Sequence, residues 1–146
     1  MATTRLTPAE LGIENVNLKV TTDNKSGRID VRNAFAFTAV VDITETGAPA
    51  AGAANLIVEI VDRANTVLTS HIVDTGIDIQ TNGLKETVSW GHGINAVAIS
   101  TGTAGTVTTT PGVISNVDFM RLNLKASTAN DGTTCTGSVT LLIEEI

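Results

Sequence analysis

Imidazole and thiol groups, the usual carriers of nucleophilic and zinc chemistry, number three in this 146-residue chain: His71, His92 and Cys135. A hydrolytic triad needs a nucleophile, a base and an orienting acid in a defined local setting. Ser70 or Ser89 with His92 and one of the aspartates makes such a set on paper. No serine, however, sits in a Gly-x-Ser-x-Gly elbow, and nothing local supports Cys135 paired with a histidine. Zinc sites draw several Cys or His ligands at workable spacing, and three scattered candidates make none. Asp23-Asn24-Lys25-Ser26-Gly27 and Asp74-Thr75-Gly76-Ile77-Asp78 could lend oxygens to calcium. Neither follows the EF-hand spacing, and turns favour these residues for backbone reasons. Gly102-Thr103-Ala104-Gly105 lacks the lysine and helix of a phosphate loop. The expectation is a non-enzymatic chain with no catalytic residue, no metal and no cofactor.

The elements that would have to position any site read as strands. Asn33 to Ile43 sets Phe35, Phe37, Ala39, Val41 and Ile43 against Ala34, Ala36, Thr38 and Asp42, the period-two pattern of a strand with one buried side. Val16, Leu18 and Val20 give a first strand after Asn15. Asn55 to Val61 is apolar except for Glu59, as in a strand buried on both faces or at an interface. Asp62-Arg63-Ala64-Asn65 turns it into Thr66 to Asp74. Asn82-Gly83 between Ile77–Thr81 and Leu84–Trp90 is a strong hairpin signal, and Ala129 to Gly132 joins Val117–Ala126 to Thr134–Glu145 in the same fashion. Ile94 to Ile99 is another strand, and the Thr- and Gly-rich tract Ser100 to Gly112 reads as an exposed loop. The reading is an all-β antiparallel sandwich, jelly-roll-like, with about eight to ten strands.

Within that frame, Phe35, Phe37, Val41, Leu56, Val58, Ile60, Trp90, Phe119, Leu122, Leu124, Val139, Leu141 and Ile143 form the expected core. Trp90, in phase with Leu84, Glu86 and Val88 and followed by Gly91-His92-Gly93, plugs one end of it. Cys135 follows the apolar register of Val139, Leu141 and Ile143, and as a lone cysteine it can make no intrachain disulfide. His71 is expected on the strand face opposite Leu68 and Ile72.

Residues 1–14 differ from the sandwich domain of residues 15–146. Thr7-Pro8-Ala9-Glu10 spells a capping box with proline at the first helical position, and Gly12 stops the helix after one turn. One turn does not stand alone in water. Leu6, Pro8, Leu11 and Ile13 are therefore the candidate contacts of an arm that docks on a partner chain or on its own domain.

Composition narrows the partners. The net charge is −6, with nine basic residues against fifteen acidic ones, the wrong balance for nucleic acid. Aromatic residues make up 3% of the chain, too few for stacked bases or for sugar-binding platforms. No apolar run approaches a membrane span and the N-terminus has no signal-peptide core, which points to synthesis in a cytoplasm. Charged residues are 16%, below the ~25% usual for soluble domains. Much of the surface is accordingly Thr, Ser, Asn, Gly and Ala, which suits contact with other subunits.

In this character (short, rich in Ala, Thr and Gly, poor in Cys, all-β, with an N-terminal arm) the chain resembles the small virion proteins of tailed bacteriophages, especially capsid decoration or cement proteins. The resemblance spans the whole chain in composition and transfers no site residue. It implies a virion protein made in the host cytoplasm, a homotrimer that sits on a major capsid protein lattice and bridges capsomers. A phage tail or fibre subunit is the neighbouring alternative, and a bacterial β-sandwich adhesion or ligand-binding module comes from a different class.

Overall fold

Alternation along β4 (Ala34–Thr46) builds the first wall of the core: Phe37, Ala39, Val41 and Ile43 are buried, while Thr38, Val40, Asp42 and Thr44 face out. The computed structural model describes residues 2–91, 94–100, 107–110 and 118–146. Among these are eleven strands and one helix of four residues, α1 (Pro8–Leu11). The other strands are β1 (Ala2–Leu6), β2 (Val16–Asn17), β3 (Ile29–Asp30), β5 (Ala53–Val61), β6 (Val67–Asp78), β7 (Lys85–Gly91), β8 (Ile94–Ser100), β9 (Val107–Thr110), β10 (Phe119–Thr128) and β11 (Thr134–Glu145). One sheet runs β1-β11-β4-β7-β8-β9, with β2 also on β11, and the other runs β3-β10-β5-β6. The chain is an all-β antiparallel sandwich, and the described pairings are all antiparallel.

Between the sheets, β10 contributes Met120, Leu122, Leu124 and Ala126 and β5 contributes Leu56 and Val58, each fully buried, to a core shared with Val139 and Leu141 of the first sheet. Phe37 and Trp90, register partners on β4 and β7, stack with ring centroids 5.4 Å apart. Trp90 thus packs in the core as its phase required. Gly137 marks a close approach of the sheets. A Cβ there would lie 2.8 Å from both Leu124 and Leu18 side-chain carbons.

Several expectations need correction. Phe35 is exposed, because β4 carries one extra residue between the positions opposite Glu144 and Glu145. That bulge resets the alternation, so Ala34 turns in and Phe35 out. Phe119 is only half-buried, being out of phase with Leu122 and Leu124, and Met120 takes the inward place. Asn82-Gly83 does not close a hairpin. It carries the chain from β6 in one sheet to β7 in the other, with Gly83 at φ +79° donating to the Ile43 carbonyl and Asn82 accepting from Glu45 N–H. Fully buried Ile77, Ile79 and Leu84 flank this turn, and their burial between layers overrides the local hairpin preference. Ala129–Gly132 is likewise a crossing between sheets, from β10 to β11, anchored by buried Asn130. The Thr-rich tract expected as a loop contains β9, paired with β8. A β-branched run such as Val107–Thr110 suits a strand. The first strand is β1, not Val16–Val20, of which only Val16 and Asn17 pair. Residues 92–93, 101–106 and 111–117, with His92 and the glycines of the 102–105 tract, lie outside the described residues.

Candidate functional site

The N-terminal segment folds locally as its residue types require. Thr7 Oγ1 accepts from Glu10 N–H, Glu10 Oε1 accepts from Thr7 N–H, and Gly12 closes the turn at φ +79°. Leu11 and Ile13 then enter the chain's own core at 3% and 0% exposure, and β1 pairs along β11. Of the four candidate partner contacts, Leu6 and Pro8 alone keep partial exposure. Hydrophobic burial placed the other two inside, because a turn tethered beside the open edge of a sandwich finds its apolar surface there.

At this end of the molecule the sheets leave a cleft of about 330 Å³ between β1 of one sheet and β3 of the other. Its walls are Leu6, Leu11, Ile29 and Ile143, and its rim carries Glu10, Glu145, Arg28 and Asp30. Asp30 grips Arg32 through Nε at 3.0 Å and Nη2 at 2.6 Å, and the guanidinium holds the carboxyl below its ordinary pKa. Next to the rim, the Arg28, Arg32 and Arg63 guanidinium carbons lie 4.9, 5.6 and 5.8 Å from the Phe119 ring centroid. Cations favour an aromatic face, and Arg with aromatic residues is the composition of protein interfaces. Sequence reading missed this cluster, since its members are spread over more than ninety residues; the half-polar setting of Phe119 was the available signal.

Among the described residues, His71 and Cys135 stand on strands of different sheets. His71 is half-buried on β6, on the face of Val58 and opposite that of Ile72. Cys135 is buried on β11 against the Ile79 carbonyl, and burial pushes its thiol up to about 11, so the reactive thiolate is suppressed. The two aspartate-rich turns are engaged internally. Asp23 accepts from Asn123 and Lys125, which lower its pKa, and Asp78 accepts from Gln80 N–H and Thr81. Asp74 instead points into the core beside Glu86 of the facing sheet, where neither of its oxygens has a hydrogen-bond partner. Among the described residues no group of three or more His, Cys, Asp or Glu could hold a metal ion. Nor is any described helix long and apolar enough to cross a membrane.

On the outer face of the second sheet, Glu59 is 7% exposed, held by Arg121 at 2.8 Å and Lys25 at 3.1 Å. The Lys25 side chain reaches Glu59 from a segment that runs along the free edge of β10, where Ser26 N–H donates to the Leu122 carbonyl and Leu124 N–H to the Asn24 carbonyl. Across the outer face of the first sheet, Thr38 and Ser89 hydroxyls meet at 3.1 Å and Thr46 and Thr134 at 2.6 Å. What the geometry offers is therefore surfaces for contact, in an antiparallel β-sandwich whose titratable core groups are sealed from solvent.

No protein-family model and no curated protein matches the chain. Solved structures of infectious bursal disease virus share its fold. The Gx strain structure aligns at 10% identity with a TM-score of 0.55, the VP2 subviral particle at 10% and 0.51, and the Gt strain at 8% and 0.53. Each alignment covers 97% of this chain, and 31% or 32% of the other. The chain thus spans about a third of the length of those proteins. At such identities the likeness is one of fold.

Proposed function

We propose that this chain is a non-enzymatic structural protein of a virion, acting through contacts between copies of itself and with a shell. The observation that carries the reading is the match of nearly the whole sandwich to a segment of a viral particle protein. The sealed Cys135 and its place on a different sheet from His71 support it, as do the low charge density and Thr-rich sheet faces. In its finer form the reading is a tailed-phage decoration or cement protein, a homotrimer on a major capsid protein lattice, made in the host cytoplasm. The experiment is to purify the chain, determine its mass by light scattering, and add it to capsid shells that lack it. Saturable binding to shells, or closed particles seen by electron microscopy, is the expected result. A chain that neither binds shells nor forms particles overturns the reading.

A further inference from the structure

Among the described residues five strands end the two sheets, and four of them are short: β1 has five residues, β9 four, and β2 and β3 two each. The fifth, β6, has twelve. Over its first half, Val67, Leu68 and Ile72 are 41%, 65% and 44% exposed, Thr69 and Ser70 are exposed as well, and His71 is half-buried. Thr69 and His71 lie on the face of core residues Ile60 and Val58, and Ser70 and Ile72 on the opposite face. This stretch is therefore open on both faces, and no described strand pairs with its outer edge. Proteins protect long edges with lysine, proline or inward charges. From Val67 to Val73 there is no Lys, Arg, Asp, Glu or Pro.

We propose that this edge is the surface through which two copies of the chain meet, β6 pairing antiparallel with β6 of a second copy about a two-fold axis at Ser70. The regular ladder with β5 runs from Thr69 to Ile72, between irregularities at Leu68 and Val73. Directly opposed residues of an antiparallel pair share a face, so a two-fold axis must pass at a residue and its own copy. With Ser70 on the axis, Leu68 of each copy faces Ile72 of the other, which joins the exposed apolar side chains twice. His71 on the axis would instead set imidazole against imidazole and Leu68 against Asp74. This inference rests on the reading of a self-associating subunit and names the surface it uses.

The test uses the full chain. Leu68→Lys with Ile72→Lys should weaken self-association at least about tenfold in sedimentation equilibrium, with the circular dichroism spectrum unchanged. Ser70→Cys should form a disulfide-linked dimer on oxidation, since opposed cross-strand Cβ atoms lie about 4.5–5.5 Å apart; buried Cys135 does not compete. An unchanged association constant in the lysine variant overturns the proposal. If that variant fails to fold, a parent that associates while Ser70→Cys stays uncrosslinked overturns it equally. Monomers that bind shells would leave the virion reading standing and remove this pairing; crosslinked dimers that neither bind shells nor form particles would do the reverse.

Discussion

Phe35 and Phe37 stand two residues apart on β4, yet one is 37% exposed and the other 1%. Truncating Phe37 to alanine removes half of a stacked pair with Trp90 and leaves a cavity, at an expected cost of about 3–5 kcal/mol. The same change at Phe35 should cost under about 1 kcal/mol. Urea denaturation of both variants checks the contrast, and equal losses would place the bulge wrongly. Asp74 gives a second residue-scale outcome. Burial, then the Glu86 carboxyl beside it, push its carboxyl up to about 9 from an ordinary 3.8. Between those values the folded chain keeps a proton that the unfolded chain has released, so stability falls as pH rises. The contribution is complete below about pH 4 and lost as pH climbs through about 9. Asp74→Asn removes this titration, so the variant should gain on the parent steadily as pH rises over that window. Parallel profiles of denaturation midpoint against pH would show that Asp74 ionises freely in the fold.

At the level of elements, the N-terminal segment is the informative case. Its capping box and glycine stop are local, and they form as their residue types dictate. Where the turn docks is not local. Leu11 and Ile13 go into the chain's own core and β1 extends the larger sheet, leaving Leu6 and Pro8 on the cleft side. Deleting residues 2–13 removes two buried aliphatic side chains and a strand, so the melting temperature of the isolated chain should drop by about 10 °C or more. An unchanged melting temperature, with shell binding lost, would mean that the segment serves a partner instead. The crossings at Asn82-Gly83 and Asn130–Gly132 follow the same logic. Turn chemistry specifies a reversal, but the partner of each strand is chosen by the core it must bury.

For the whole molecule, the decisive property is that the described residues present surfaces for contact and no group of three or more His, Cys, Asp or Glu that could hold a metal ion. Replacing His71, His92 and Cys135 together should leave self-association and shell binding as in the parent, provided the variant folds. Loss of shell binding from a correctly folded triple variant would show that one of these side chains does more than pack. The arginine-ringed Phe119 and the cleft beside α1 lie at the β1 and β3 end of the sandwich, and the long β6 edge closes the second sheet on its other side.

Period-two alternation by itself determined the all-β class and most of the buried side chains, and the Thr7–Glu10 capping box with Gly12 the N-terminal turn, because strand pleat and helix caps depend on neighbours a few residues apart. Composition by itself argued against nucleic acid and pointed to surfaces made for contact. Only the tertiary structure decided that Phe35 turns outward, that the Asn-Gly turn crosses between sheets, and that three distant arginines gather on Phe119. The bulge opposite Glu144 and Glu145, the layer each strand joins and the exposed stretch of β6 depend on residues as far apart as Ala34 and Glu145. Such pairings are set by the joint burial of both sheets, a property of the folded whole that no local pattern carries.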